Sequence, residues 1–200
     1  MHTIYHTEAI IIRSEPAGEA NKRVWLFTQE LGLIIATVQG VRKPSAKLQS
    51  HITDYTLVSA DLIKGKNNWR LISAAFMDSA IGGSTRAPLA RAYVRTLNFL
   101  ERFLIGEGTH PELFNHIVEL AEIVKSNNGQ ARLNGAVGQA RFLDALSLWK
   151  MLALLGYISV EPQDAPLFNL SLRDAAAQLT DAKVTSLVKS ATESISHSHL

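Results

Sequence analysis

The pattern of apolar residues in this chain changes period once, near residue 80, and that switch constrains the fold more than any other feature. Before it, short runs rich in β-branched residues alternate with turn signals, the mark of strands. Tyr5 to Ser14 carries the run Ile10-Ile11-Ile12 and stops before Pro16-Ala17-Gly18. Val24 to Thr28 is closed by Leu31-Gly32, Leu33 to Gln39 is closed by Gly40, and Thr53 to Ile63 alternates in character. Gly65-Lys66-Asn67-Asn68 reads as a hairpin turn leading into Trp69 to Met77. Five short strands joined this way predict a small closed or partly closed barrel. After Gly82-Gly83-Ser84 the apolar residues recur at helical spacing. Leu89, Tyr93, Leu97 and Leu100 start one helix, and Pro111 opens a second, which Asn127-Asn128-Gly129 ends. Ala140 to Leu155 is apolar around most of its circumference, which predicts burial at the centre of a bundle, with Gly156 as its C-cap. Ser171 to Gln178 and Asp181 to Ser194 complete the helical half.

Strands followed by helices make an α+β architecture. The expected fold is a five-stranded barrel over residues 1–80, followed by an all-helical domain over residues 81–200. The chain has 200 residues, of which 46% are hydrophobic and 19% charged, so it can build a core and is not a disordered polyelectrolyte. It has no cysteine, which excludes disulfides and cysteine-ligated metal and fits a reducing compartment. The opening residues hold no long apolar region of a secretory signal, and no run of about 18 apolar residues exists to span a bilayer. A cytoplasmic location follows as the expectation.

The net charge of +2 conceals an uneven distribution. Gly40 to Arg70 holds six basic residues against two acidic ones, whereas Ile81 to Leu200 holds eleven of each. The excess therefore lies in the strand-rich half, and it points to a phosphate-bearing partner. Arg42, Lys43, Ser45 and Lys47 surround Pro44, a composition suited to gripping a phosphate backbone, although a solvated basic loop would look the same. Arg13, Lys22 and Arg23 form a second set that a hairpin could unite; an ordinary ion pair from Arg23 to Glu19 is the rival explanation. Lys64, Lys66 and Arg70 flank the hairpin turn. Tyr5, Trp25, Tyr55 and Trp69 are the rings that could stack on bases; Phe27 and Phe76 read as core. With so few free rings, phosphate contacts should dominate any binding, making it salt-dependent and weakly sequence-specific.

Several stretches together resemble the RecO family of recombination mediators. Thr7-Glu8-Ala9-Ile10-Ile11-Ile12-Arg13 resembles its first strand, and Glu19-Ala20-Asn21-Lys22-Arg23 its acidic-then-basic turn. Phe27-Thr28 with Leu31-Gly32 resembles its second strand and turn, and Gly40-Val41-Arg42-Lys43-Pro44-Ser45-Ala46-Lys47 is the most specific piece. Leu152-Ala153-Leu154-Leu155-Gly156-Tyr157 resembles a helix end in its second domain. Many members carry a four-cysteine zinc loop after that helix; here Ser159 to Asn169 holds neither cysteine nor histidine. The resemblance implies that the barrel of residues 1–80 is an OB-fold DNA-binding domain, in a cytoplasmic, nucleoid-associated DNA-repair protein without catalytic chemistry or cofactor. Such a protein would bind single- and double-stranded DNA and anneal complementary strands. It would contact the C-terminal tail of single-stranded-DNA-binding protein, act with RecR and help load RecA. The alternative is a protein-interaction adaptor with little DNA affinity of its own.

For a partner's acidic tail the helical half offers Arg91, Arg95 and Arg102 near helical spacing, with Arg141 and Lys150 as rivals; a mixed solvated face would look similar. The seven histidines form no cluster with a recognised ligand spacing. There is no nucleophile elbow, and Gly82-Gly83 lacks the remainder of a phosphate-binding loop. An enzyme acting on nucleic acid would need carboxylate or histidine pairs around a metal, and the sequence presents none.

Overall fold

A computed structural model describes residues 3–41, 47–66, 68–82, 87–104, 106–127 and 136–197. The chain divides into two compact units. The first comprises residues 1–79 together with 105–114, and the second residues 80–104 together with 115–200.

The first unit is a closed barrel of five strands in the order β1-β2-β3-β5-β4. These are β1 (Ile4–Ala17), β2 (Asn21–Thr28), β3 (Gly32–Val38), β4 (Thr56–Lys64) and β5 (Trp69–Ser79). The long first strand makes closure possible. Ile4 to Ile11 pair with β4 while Ala9 to Ala17 pair with β2, and the register shifts between Ile11 and Arg13. Such a shift bends a strand and lets one segment serve two neighbours. The seam is closed by a short parallel contact, Ala36 opposite Trp69 and Thr37 opposite Arg70. Alternation supplies the interior: Ala9, Ile11, Val24, Leu26, Ile34, Ala36, Val38, Val58, Ala60, Leu62, Trp69 and Leu71 share one core.

β1 runs past its expected end. Pro16 pairs with Lys22 and Ala17 with Asn21, so the turn is pushed to residues 18–20, where Gly18 takes a positive φ of 76°. Beyond Ile11 this strand has a neighbour on one side only, and an edge position tolerates a residue without an N–H. One ring expected in the core is not there. Phe76 is 51% exposed, opposite Val58 and next to a register shift in the β4–β5 ladder. Phe27, by contrast, is fully buried although it points away from the barrel interior, and it lies 5.6 Å from Phe114.

The segment 106–110 belongs to the barrel unit, although the helical pattern around it gives no sign of this. Glu107 bridges to Gly32, the Gly108 N–H donates to the Leu31 carbonyl at 3.1 Å, and Thr109 Oγ1 donates to the Glu30 carbonyl at 3.0 Å. Gly32 has a positive φ of 74°, and a Cβ there would lie 2.3 Å from the Gly108 carbonyl oxygen. Both its dihedral and the close approach of the strap therefore require glycine.

The second unit is built on α1 (Pro88–Phe103), α2 (Pro111–Asn127), α3 (Ala136–Leu154), α4 (Ala165–Asn169), α5 (Leu172–Gln178) and α6 (Asp181–His197), with α2 contributing from Asn115 onward. α3 packs against α1, α5 and α6, which explains why it is apolar on nearly every side. Gly156, with φ 79°, follows it in the left-handed conformation of a helix terminus. α4 occupies a stretch with no helical signal of its own. Trp149 meets Phe168 edge-on at 6.0 Å, and Lys150 Nζ donates to the Leu170 carbonyl at 2.8 Å, just after that short helix. No described helix is long and apolar enough to cross a membrane.

Candidate nucleic-acid interface

Residues on the barrel strands that alternate with core positions face outward. On β2 these are Arg23 and Trp25, on β3 Ile35 and Thr37, on β5 Arg70, and on β1 beyond its register shift Arg13 and Glu15. Cross-strand pairing lines them up in two adjacent rows. One row runs Glu15, Arg23, Thr37, Arg70 across four strands; the next runs Arg13, Trp25, Ile35. Strands lie about 4.8 Å apart, so the arginines of the longer row stand roughly 10 Å from one another.

The face is tightly organised. The Arg13 guanidinium lies 3.3 Å from the centroid of Trp25, a cation–π stack that leaves the indole only 7% exposed. Arg13 Nη1 donates to Glu15 Oε2 at 3.1 Å, and Arg23 Nη1 donates to Glu15 Oε1 at 3.3 Å. Glu15, not the sequence-adjacent Glu19, is thus the carboxylate that meets Arg23; strand register places it directly opposite. Arg70 is held differently, by a hydrogen bond from Nη2 to the neutral Gln39 Oε1 at 2.9 Å. Gln39 and Arg70 also line an open groove of about 400 Å³ with Val38, Gly40, Val41, Leu48, Leu71 and Ile72.

The remaining described cations of this half are Lys22, Lys64 and Lys66. Lys22, half-buried, lies near the start of β2 in register with Val38. Lys66 is exposed in the β4–β5 turn. Lys64 is engaged by the strap: its Nζ lies 2.6 Å from Glu107 Oε2, while Trp69 Nε1 donates to Glu107 Oε1 at 2.9 Å. Those two hydrogen bonds, Lys64 first, hold the Glu107 carboxyl below the usual range. Arg42, Lys43 and Ser45 lie outside the described residues, as does the side chain of Lys47, whose backbone begins a 3-10 helix over Lys47–His51.

The rings that could have stacked on bases are mostly committed. Trp69 is buried, meets Tyr5 edge-on at 5.1 Å and gives its N–H to Glu107. Tyr55 is half-buried just before β4, with a positive φ of 66°. The exposed apolar groups of the barrel are Ile4, Ile35, Ile72, Phe76 and Met77, none of which the sequence marks as a surface residue.

In the second unit Arg91, Arg95 and Arg141 come together around a groove with Pro88, Ala92, Ala140 and Asp144. Arg95 Nη1 donates to Asp144 Oδ2 at 2.8 Å, and Arg141 Nη1 lies 3.2 Å from Asp181 Oδ1. Burial pushes the Asp144 carboxyl up, against the pull of Arg95. Arg102 sits in the last turn of α1 beside Phe103, and Lys150 serves the backbone after α4, so neither joins this groove. Among the described residues no group of three or more histidines, aspartates or glutamates could hold a metal ion.

Residues 1–79 match the family model described as Recombination protein O N terminal, which coincides with the five strands. The barrel segment is thus similar to the N-terminal domain of the RecO family. It is 30% identical over 111 residues to the DNA repair protein RecO of Desulfitobacterium hafniense, a match covering 56% of this chain and 41% of that protein. It is 29% identical over 131 residues to the DNA repair protein RecO of Dehalococcoides mccartyi, covering 64% of this chain and 51% of that one. The Heliobacterium modesticaldum protein of the same name is 36% identical over 64 residues, 32% of this chain and 23% of its own length. The aligned part of the chain spans about half or less of these curated relatives.

Proposed function

We propose that this chain is a RecO-family protein, a non-enzymatic DNA-binding mediator of repair and recombination, whose barrel is an OB fold that grips nucleic-acid backbones. The observation that carries the reading is the outward row of Arg23 and Arg70, with Arg13 beside it, on the segment that matches the RecO family model. Guanidinium groups on a rigid sheet are suited to phosphate oxygens, and a sheet at this spacing presents them along a strand's backbone. Because the tryptophans are covered, affinity rests on charge, with counterions released on binding. Arg42, Lys43 and Lys47, with the Ser45 hydroxyl, add phosphate-seeking groups to this reading by their chemistry alone. In this reading the chain binds single- and double-stranded DNA, anneals complementary strands and acts in the cytoplasm on the nucleoid. The groove of Arg91, Arg95 and Arg141 receives the acidic tail of single-stranded-DNA-binding protein, RecR is the working partner, and RecA loading is the outcome.

Fluorescence anisotropy of a labelled single-stranded oligonucleotide, at two or more salt concentrations, tests the reading. Wild-type protein should bind with an affinity that falls as salt rises. Arg23→Ala/Arg70→Ala should bind more weakly, its salt slope shallower by about 0.7 for each phosphate that is no longer neutralised. Absence of wild-type binding at low salt would leave the adaptor reading, which the covered rings and the Glu15 ion pairs favour.

A further inference from the structure

The arginine row contains one anion, and its placement is specific. Glu15 sits between Arg13 and Arg23 and gives a different oxygen to each, at 3.1 Å and 3.3 Å. Two oxygens of one anion each met by an arginine is also how a phosphodiester is held between two guanidinium groups. The side chains of Glu15 and Arg23 are 41% and 52% exposed and that of Arg13 39%, so all three can be reached from solvent. We propose that Glu15 is an internal competitor for phosphate, a carboxylate that occupies the fork between Arg13 and Arg23 until a nucleic-acid phosphate takes its place. The proposal rests on the DNA-binding reading of this face and names the residue that sets its affinity and selectivity.

The neighbouring contacts say what the exchange does. Arg13 is stacked on Trp25, so its position is fixed by the ring as well as by Glu15. A guanidinium held in place loses little freedom when a phosphate arrives, which favours binding. Arg70, in the row of Glu15 and Arg23, rests on a neutral amide oxygen of Gln39, whereas Arg13 and Arg23 rest on a carboxylate. A polyanion can therefore engage Arg70 first and then compete for the fork with its next phosphate at high effective concentration. An isolated anion in solution has no such advantage over a tethered carboxylate. Glu15 thus discriminates against single phosphates and mono-anions and for strands that carry many. Exposed ion pairs are weak individually, so the carboxylate can be displaced.

The test uses the full chain and fluorescein-labelled oligo(dT), with affinity measured at two salt concentrations. Glu15→Gln, which keeps the shape and removes the charge, should bind about three- to tenfold more tightly than wild type, the change that two exposed ion pairs can supply. Glu30→Gln, which removes an exposed carboxylate from the β2–β3 turn, should leave affinity within about twofold, a general charge effect alone. In an Arg13→Ala/Arg23→Ala background the Glu15→Gln gain should vanish, because the fork no longer exists. Unchanged or weaker binding by Glu15→Gln, with wild type still binding, overturns this proposal and leaves the DNA-binding reading intact. An equal gain in the arginine-free background overturns it as well. Failure of wild type and Glu15→Gln alike to bind at low salt overturns both.

Discussion

His116 shows how much a single side chain can depend on its surroundings. It is fully buried at the α2–α3 contact, its Nε2–H donating to the Ser147 carbonyl at 3.1 Å, while Nδ1 and the Ser147 hydroxyl have no partner among the described residues. Burial, reinforced by the nearby Lys150 charge, pushes its pKa down to about 4. The unfolded chain takes up that proton near pH 6.5. Between those two values the unfolded state binds more protons, so the neutral imidazole's contribution is present above pH 6.5 and is lost as pH falls toward 4. Lowering pH from 7 to 5 should cost about 2 kcal/mol through this residue. Urea unfolding at the two pH values measures it, with His116→Leu as the comparison: the variant should lose less stability over the same interval. An equal loss in both proteins would assign the pH dependence elsewhere. None of this is legible from His116 in the sequence, where it is one of seven histidines. The same holds for Glu15, whose role depends on being opposite Arg23 in a register that only the folded sheet defines.

Strands and helices were far more legible than sites. β-Branched runs and turn residues located all five strands, since local pattern and pairing agree there, and helical spacing located five of the six described helices. The ends differ where tertiary pairing overrides the local signal, as at Pro16, and α4 has no signal in the sequence because five residues with two prolines nearby carry no period. The strap at residues 106–110 has no local signal at all, yet its contacts are dense and make a clear prediction. Gly32→Ala places a methyl against the Gly108 carbonyl and forces a left-handed alanine, at a cost of about 2 kcal/mol or more. Glu107→Ala leaves the buried Trp69 N–H without its acceptor, a cost of about 1–2 kcal/mol. Amide hydrogen exchange reads both: the Gly108 N–H, bonded to Leu31, should exchange faster in each variant than in wild type. Unchanged protection would mean that the strap is held by something other than these hydrogen bonds.

At the scale of the molecule, the two compact units are interleaved in sequence, because the barrel takes residues 105–114 from between α1 and the body of α2. A switch of hydrophobic period near residue 80 marks where the strands stop, which is not the same as where the barrel's packing ends. Phe27 explains the difference. It is a large, fully buried ring on the outer side of β2, and its aromatic neighbour within this unit is Phe114. Leaving such a ring in water costs about 1.5–3 kcal/mol, comparable with the stability left to an isolated domain of this size. Removing the whole strap would leave the Trp69 indole N–H unpaired and deprive the Leu31 and Glu30 carbonyls of their donors from Gly108 and Thr109. A chain cut after Ser79 should therefore unfold at a markedly lower urea concentration than the barrel does within the full chain. Tryptophan fluorescence can follow the transition, because Trp25 and Trp69 both lie in the first unit; Trp149→Phe in the full chain removes the remaining signal. Equal midpoints would show that the five strands suffice alone and that the strap is an ornament on a complete barrel. A lower midpoint, with the Glu107→Ala full chain falling between the two, would show that a segment well past the last strand, residues 105–114, is part of the unit that presents Arg13, Arg23 and Arg70.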